Sequence, residues 1–350
     1  MADLTIIGAG QSGLAAGYQC RALGLDFQIV EAAAEPGGSW PRYYESLTLF
    51  SPARYSELSG MEFPGDRDRY PKRDEVTRYL RDYAAHFDLP ITTGFDVCSV
   101  ESVGQVLEIA SRDGRQLKSR AVVVATGGFS TPRMPTLEGE KSFPGERLHS
   151  RDYHSPGRFA GRRVIVVGAG NSAVQIAVEL AKVARVTLAT RGPIRWVPQR
   201  ILGKDIHFWT KWLGIDNLSL SGDPTAPVLD DGHYRRAIRD GHPDMRRMFT
   251  RFTSRGVVWS DGNEEDVDAV IFATGFSPSL SFLAVAGAFD SKGRPVQRRG
   301  VSLTCPGLFY VGLPWQKDLS SATLRGAARD SRDVIEAAAR FLKSPVIARQ

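Results

Sequence analysis

The sequence has 350 residues, and its 45 basic and 39 acidic side chains give a formal net charge of +6. Apolar residues make up 42% and charged residues 24%, values typical of a globular protein, which exclude extensive disorder and a fibrous repeat. Because acidic residues are interleaved with the basic ones, we interpret the excess charge as solvated surface and expect no nucleic-acid partner.

The three cysteines, Cys20, Cys98 and Cys305, are far apart in the sequence and form no C-x-x-C pair. This spacing argues against a redox dithiol, a zinc ribbon and a disulfide scaffold, and the histidines show no metal-ligand spacing. No apolar run approaches about 18 residues, and the first residues do not resemble a signal peptide. We therefore expect a cytoplasmic protein with no membrane partner and no metal.

Hydrophobic periodicity and turn residues predict alternating strands and helices along the chain. Strands are predicted at 4–7, 26–30, 103–111, 116–125, 164–167, 186–190, 257–260 and 269–274, and helices at 12–23, 74–86, 172–183 and 330–343. Such alternation favours parallel sheets with helices on their faces. The stretch 193–245 fits no clear pattern and is expected to be a lid, an insertion or a mobile loop.

One signal occurs twice in the chain. Residues 4–17 (LTIIGAGQSGLAAG) and 164–177 (VIVVGAGNSAVQIA) each combine an apolar run, a glycine turn and a helical pattern. Each is followed later by an apolar run that ends in Ala-Thr-Gly, at 122–132 and 270–278. The order predicts one dinucleotide-binding unit used twice.

In the first loop, Gly8 permits a tight turn, Gly10 allows a pyrophosphate to approach the backbone, and Gly13 lets helix and strand pack closely. The phosphates are expected at the helix N-terminus, where free amides and the helix dipole favour negative charge. Glu31 ends the next predicted strand and can accept hydrogen bonds from both hydroxyls of a ribose.

The second loop has Gly168 and Gly170, with Ala173 at the third position. Glu31 follows Gly8 by 23 residues, and the residue at the same spacing from Gly168 is Arg191. A carboxylate would repel a 2′-phosphate, whereas a guanidinium binds one, so the second site is predicted to take NADPH. If Arg191 is only a surface arginine, NADH and NADPH should be used comparably.

Two nucleotide sites in one chain imply hydride transfer from a free nicotinamide to a tightly held flavin. By the order of the loops, we assign FAD to the N-terminal site.

Three further segments carry a family resemblance. Residues 143–153 (FPGERLHSRDY) fit the pattern F-x-G-x-x-x-H-x-x-x-Y/F, residues 36–40 are PGGSW, and residues 189–192 are ATRG. From Leu4 to about Gly326, the chain resembles the flavin-containing monooxygenases, particularly the small bacterial members. His149 and Tyr153 are interpreted as a structural junction ahead of the second loop.

The resemblance implies an α/β fold with two nested Rossmann-like dinucleotide-binding domains, as in glutathione-reductase-like flavoproteins. Residues 1–153 and 275–350 would form a discontinuous FAD domain, and residues 154–274 the NAD(P)H domain. The residues assigned to FAD are Gly8, Gly10, Gln11, Ser12, Gly13, Glu31, Gly38, Ser39, Trp40, Leu49, Val97, Thr126, Gly127, Ala322 and Thr323. The residues assigned to NADPH are Gly168, Gly170, Asn171, Ser172, Thr190 and Arg191.

One position departs from the family pattern. Phe50 occupies the position where eukaryotic members have an Asn beside the flavin ring. A phenyl ring cannot donate the hydrogen bond that an amide would give to an oxygenated flavin. The alternative is that Phe50 simply packs against the isoalloxazine.

Three functions follow as hypotheses. The first is an NADPH-dependent monooxygenase that forms a C4a-hydroperoxyflavin and oxygenates sulfides, amines or, by Baeyer–Villiger insertion, ketones. The second is a flavin reductase or oxidase that passes electrons to oxygen, a quinone or a partner protein. The third is a non-enzymatic nucleotide sensor. A homodimer is the default expectation for its assembly.

Overall fold

The computed structural model describes residues 2–214 and 227–344. Its α-helices are α1 (Gln11–Ala22), α2 (Arg73–His86), α3 (Asn171–Leu180), α4 (Ile206–Trp212), α5 (His233–Arg239) and α6 (Leu324–Lys343). Single 3-10 turns occupy Trp40–Arg42, Ala53–Tyr55 and Gly157–Phe159.

The strands fall into three stretches of the chain. The first contains β1 (Leu4–Ile7), β2 (Phe27–Val30), β3 (Ile91–Thr92), β4 (Val97–Val103), β5 (Val106–Ser111), β6 (Gln116–Ser119), β7 (Ala121–Val124) and β8 (Thr131–Pro132). The second contains β9 (Glu146–His149), β10 (Arg163–Val167), β11 (Arg185–Thr190), β12 (Trp196–Pro198), β13 (Arg200–Ile201), β14 (Lys204–Asp205), β15 (Val228–Asp230), β16 (Asp244–Arg247), β17 (Arg251–Phe252), β18 (Gly256–Val258), β19 (Glu264–Asp266), β20 (Ala269–Phe272) and β21 (Phe276–Ser277). The third contains β22 (Gln297–Arg298), β23 (Val301–Ser302) and β24 (Leu308–Tyr310).

The first large sheet has the strand order β22-β23-β24-β7-β1-β2-β3. Strand β1 is parallel to both neighbours, with Leu4 opposite Phe27 on β2 and Ala121 on β7. All four residues of β1 and of β7 are buried, as expected for parallel strands covered on both faces. Strand β24 returns from the C-terminal stretch to pair with β7. The N-terminal and C-terminal stretches therefore build one sheet.

The second large sheet has the order β16-β11-β10-β20-β9, and its pairings are all parallel. It repeats the strand, glycine turn, helix and strand of the first sheet, with β10, α3 and β11 in the places of β1, α1 and β2. The predicted α/β class with two Rossmann-like units is confirmed. Strand β9 lies within the predicted FAD domain but pairs with β20 of the second sheet. We therefore propose that the change between units comes before Glu146 rather than after residue 153.

Helix α6 packs along α1 and covers one face of the first sheet. Ala15 and Ala16 of α1 are fully buried in the same core cluster as Ile335 and Ala338 of α6. Small side chains on α1 allow the two helices to approach closely. This packing ties the C-terminal helix directly to the helix that follows the first glycine turn.

Most predicted elements are present, but one helix begins earlier than predicted, and several strands were missed or are divided. Helix α6 begins at Leu324, six residues before the predicted start, because Thr323 caps it and Gly326 accommodates the nearby Ser320 carbonyl. The Asp261-Gly262 turn joins β18 to β19, an acidic strand that the sequence patterns did not predict. Strand β20, which corresponds to the predicted strand 269–274, belongs to the second parallel sheet. The predicted strand 103–111 is divided, because Val103 ends β4, which pairs with β5 in a separate antiparallel sheet. The predicted strand 116–125 is also two strands, since β6 joins that antiparallel sheet and β7 lies in the first large sheet.

Within the described part of 193–245, the chain forms short strands and two short helices, α4 and α5. Among the described helices, none combines the length and apolar character needed to cross a bilayer.

Candidate functional site

The first glycine turn leaves no room for side chains. Gly8 has a φ of +105°, and a Cβ there would lie 2.9 Å from the Ala125 carbonyl oxygen. A Cβ on Gly13 would overlap the carbonyl oxygen of Gly8. These contacts bring the start of α1 directly against the end of β1, so the amides of its first turn lie at the C-terminal edge of the sheet and have no intrahelical acceptors.

Glu31 lies at the end of β2 beside this turn and is buried. Its Oε2 accepts a hydrogen bond from Ala9 N at 2.6 Å, and its Oε1 accepts one from Ala33 N at 2.9 Å. Each carboxylate oxygen has a second lone pair, so the group retains acceptor capacity for ribose hydroxyls. The predicted ribose-binding position is therefore adjacent to the glycine turn.

Gln11 joins three segments that are distant in the sequence. Its Oε1 accepts a hydrogen bond from Trp40 Nε1 at 2.9 Å, and its Nε2 donates to the Ala322 carbonyl oxygen at 3.3 Å. Gly38 approaches so closely that its Cβ would lie 2.8 Å from the Gly10 Cα. Gly312 abuts Ser12 in the same way. The structure thus gathers the predicted residues of the glycine loop and of 36–40 together with the predicted Ala322.

Thr126 and Gly127 follow β7 at the edge of the sheet where the glycine turn lies. The Thr126 Oγ1 is buried and has no hydrogen-bond partner within the described residues. Gly127 has a φ of +73°, and a Cβ there would face open space. A buried hydroxyl without a partner is costly, so this atom fits a site where a bound polar group completes its hydrogen bond.

The N-terminus of α6 also faces this site. Thr323 caps the helix, since its side chain accepts a hydrogen bond from Gly326 N. The preceding residue, Ala322, is the one bound by Gln11, so the helix begins next to the first glycine loop. A 20-residue helix places partial positive charge there, which favours an electron-rich ligand edge.

Other residues assigned to FAD lie at the margins of this arrangement. Ser39 Oγ is 3.0 Å from the Tyr43 hydroxyl. Val97 begins β4. Just before it, Phe95 N donates a hydrogen bond to the carbonyl oxygen of Glu31, the residue that follows β2. Leu49 is buried in the same core cluster as α1. The adenine contact of Val97 and the flavin contact of Leu49 remain predictions.

Phe50 is more exposed than its neighbour, with 38% of its surface accessible. Its ring stacks on His207 of α4, with ring centroids 6.1 Å apart and planes at 18°. No hydrogen bond or ring contact in the described ranges joins Phe50 to the first glycine loop. Its position beside the flavin is therefore still a prediction.

The second glycine turn repeats the first with one difference. Gly168 has a φ of +146°, and a Cβ there would lie 2.5 Å from the Ala273 carbonyl oxygen. Gly170 has nothing within 4 Å of an added Cβ, so the space above the loop is open for a phosphate. The Asn171 side chain, however, bonds to Pro227 O and Leu229 N, so its amide holds β15.

Ser172 lies in the first turn of α3, and Thr190 and Arg191 follow at the end of β11. Thr190 is buried, whereas Arg191 is exposed and has no hydrogen bond or ion pair with any described residue. The Arg191 guanidinium is thus available beside the second loop, in the position that Glu31 occupies beside the first.

His149 is held by the backbone on both sides of its ring. Its Nδ1 accepts a hydrogen bond from Arg151 N at 3.1 Å, so its Nε2 carries the proton and donates to Gly275 O at 3.0 Å. Burial lowers the pKa of His149. Tyr153 donates to Glu179 Oε2 at 2.7 Å. Both side chains thus link separate segments of the chain, and their role as a structural junction stays a prediction.

All three cysteines are free thiols, and Cys20 and Cys305 are buried. Burial raises the pKa of Cys20 to about 12 and also raises that of Cys305, so neither forms a reactive thiolate at neutral pH. In the ranges that the structure describes, no group of three or more histidine, cysteine or acidic side chains is arranged to hold a metal ion.

Comparisons with known proteins identify the family of the chain. A family model described as pyridine nucleotide-disulphide oxidoreductase matches residues 5–204. The flavin-containing monooxygenase from Stenotrophomonas maltophilia is 34% identical with a TM-score of 0.85, over 97% of this chain and 98% of that one. An uncharacterized CzcO-like oxidoreductase of Geobacillus kaustophilus is 33% identical over 95% of this chain and 97% of its own length. Indole-3-pyruvate monooxygenase YUCCA4 of Oryza sativa is 27% identical over 95% and 86%.

The chain belongs to the flavin monooxygenase family, within the pyridine nucleotide-disulphide oxidoreductase group. It is an oxidoreductase of the flavin monooxygenase type, and FAD and NADPH are the cofactors of this family.

The Thr126 hydroxyl leads to opposite predictions for the stability of the apoprotein and for the binding of FAD. Replacing Thr126 by Val keeps the shape but removes the unpaired polar atom, so the apoprotein should be as stable as the wild type or more stable. If FAD supplies the missing partner, the same change should weaken FAD binding by about 0.5–1.5 kcal/mol. Thermal unfolding of apoprotein and fluorescence titration with FAD measure the two effects. Destabilised apoprotein with unchanged FAD affinity would contradict this assignment.

Proposed function

We propose that this protein is an NADPH-dependent FAD monooxygenase that transfers one oxygen atom to a small soft nucleophile, either a sulfide or an amine, or inserts it beside a ketone. In balanced form, substrate, O₂, NADPH and a proton give oxygenated product, NADP⁺ and water. The observation that carries the proposal is the pair of equivalent glycine turns with opposite charges beside them, Glu31 and Arg191.

The first turn is the better candidate for a permanently bound cofactor. Gln11 connects it to Trp40 and Ala322, so residues from three segments surround it. Bound FAD would accept the hydride and activate oxygen. The chain's own contribution is to hold the dinucleotide at the amides of α1, bind its ribose at Glu31 and place the positive end of α6 near it.

The second turn is the better candidate for a nucleotide that comes and goes. The space above Gly170 is open, and Arg191 is exposed and without a protein partner in the described ranges. A guanidinium there can bind a 2′-phosphate in bidentate fashion. We therefore propose that residues 146–274 hold NADPH, that residues 1–145 and 275–350 hold FAD, and that NADPH is preferred to NADH.

The two dinucleotide units account for most of the chain and leave little of it for a separate substrate domain. The substrate would therefore bind between them. Phe50 and its neighbours on α4 are the candidate walls of that space. They present aromatic surface, which suits a small apolar substrate. This reaction requires no nucleophilic side chain. The two buried thiols would not supply one, because burial raises their pKa values.

Phe50 also favours a second candidate, an NADPH oxidase that releases hydrogen peroxide. A phenyl group supplies no hydrogen bond to reduced oxygen at the flavin, whereas an amide at this position would. The two functions share every cofactor contact and differ only in the product formed from oxygen.

Arg191→Ala tests the nucleotide preference. Loss of charge-assisted hydrogen bonds of about 1.5–3 kcal/mol should raise the KM for NADPH roughly tenfold or more, with little effect on the KM for NADH. Arg185→Ala is the matched control, because Arg185 is exposed at the opposite end of the same strand. Equal changes in the two KM values, or an equal effect of the control, would refute the role of Arg191.

Turnover of a simple thioether separates the two candidate functions. The monooxygenase should consume O₂, NADPH and thioether in equal amounts and form the sulfoxide. The same assay should be repeated with an amine and a cyclic ketone, with hydrogen peroxide measured in parallel. Peroxide equal to the NADPH consumed, with no oxygenated product from any substrate, would establish the oxidase instead.

A further inference from the structure

A buried carboxylate lies at the point where the two units meet, in the stretch that sequence patterns left unexplained. Asp205 exposes only 10% of its side chain and receives four hydrogen bonds. Its Oδ1 accepts from His207 N at 2.8 Å and from His207 Nδ1 at 2.6 Å. Its Oδ2 accepts from the Tyr70 hydroxyl at 2.6 Å and from Gln199 Nε2 at 2.7 Å.

The donors to Asp205 come from both parts of the molecule. Tyr70 precedes α2 in the N-terminal stretch, whereas Gln199 and His207 flank Asp205 beyond β11 of the second sheet. Burial raises the pKa of Asp205, but the hydrogen bonds from His207, Tyr70 and Gln199 outweigh it and hold that pKa below its usual value. The carboxylate is therefore ionised at neutral pH and keeps all four donors oriented towards it.

Two of these donors also hold Phe50. Gln199 Nε2 donates a second hydrogen bond, at 3.0 Å, to the Phe50 carbonyl oxygen. The His207 ring stacks on the Phe50 ring, and Tyr55 stacks on His207 with centroids 6.0 Å apart. Asp205 thus fixes the amide that holds the Phe50 backbone and the imidazole that supports its ring.

The geometry assigns Asp205 as a positioning residue that fixes Phe50 through Gln199 and His207 and locks the 196–212 segment onto the N-terminal unit. In its effect on oxygen chemistry, this inference rests on the proposed function, in which Phe50 forms a wall of the flavin site. A fixed wall keeps water out of that site. If this wall loosens, two electrons from NADPH would reduce O₂, which takes up two protons and leaves as hydrogen peroxide.

Asp205→Asn isolates this role from that of the helix. Asn caps a helix about as well as Asp, so the N-terminus of α4 keeps its cap. The new amide, however, brings its hydrogens towards Gln199 Nε2, which is itself a donor and cannot accept, whereas the Tyr70 hydroxyl can turn to accept one. To relieve this conflict, Gln199 must turn its amide and present its oxygen to the Phe50 carbonyl oxygen, which repels it.

The experiment compares Asp205→Asn, Gln199→Ala and the double variant, each prepared both loaded with FAD and as apoprotein. Asp68→Asn is the matched control, because Asp68 is 66% exposed and forms a surface ion pair with Arg54. Three quantities are measured: the visible circular dichroism of bound FAD, the thermal unfolding temperature of the apoprotein, and the fraction of NADPH electrons released as peroxide.

If Asp205 acts through Gln199, each single variant should alter the flavin dichroism and raise the peroxide fraction at least threefold, and the double variant should be no worse than the more severe single one. The apoprotein unfolding temperatures should show the same non-additivity, and the control should match the wild type. Additive effects, or unchanged dichroism and peroxide fraction in Asp205→Asn, would overturn the inference.

The dichroism and the unfolding temperatures do not depend on the reaction catalysed. If the wild type forms no oxygenated product, the proposed monooxygenase activity fails, while a non-additive cycle in these two quantities still supports the role of Asp205. If the wild type is an efficient monooxygenase and the cycle is additive, the proposed function stands and the positioning role is refuted.

Discussion

The contact between Gly8 and Gly13 is the constraint on which the rest of the site depends. Any side chain at Gly13 would overlap the Gly8 carbonyl, so only glycine lets α1 start directly against the end of β1. That start aims free amides at the edge of the sheet. Gln11, the first residue of α1, then holds Trp40 and Ala322 around the same point. Displacing the helix would separate all of these groups.

The second unit repeats the backbone geometry of the first, and we propose that it binds a different ligand. The turns at Gly8 and Gly168 each end a central parallel strand and open a helix. Glu31 is buried and bonded to its own loop, whereas Arg191 is exposed and has no partner among the described residues. A single change of charge on a common scaffold is sufficient, in our proposal, to separate a resident FAD from an exchanging NADPH. In the same proposal, one of the arginines behind the net charge of +6 binds the 2′-phosphate.

The sequence predicted those features that are encoded within a few residues of each other. The glycine turns, β1, α1 and α2 follow from local spacing, and the structure reproduces them within one or two residues. Strand β19 was missed because its residues, Glu264–Asp266, are all acidic and resemble a loop. The Asp205 cluster could not be predicted, because Tyr70 and Asp205 are brought together only by tertiary packing. An aspartate ahead of a short helix indicates a cap, but nothing local indicates its contact with the other unit.

Anaerobic titration of the FAD-loaded protein with NADPH tests the central claim that one chain holds two dinucleotides close enough for hydride transfer. The account predicts that FAD co-purifies or binds in a one-to-one ratio, and that about one equivalent of NADPH bleaches its visible absorbance, because a hydride carries the two electrons that a flavin accepts. A protein that binds FAD but keeps its full absorbance in excess NADPH would contradict the account.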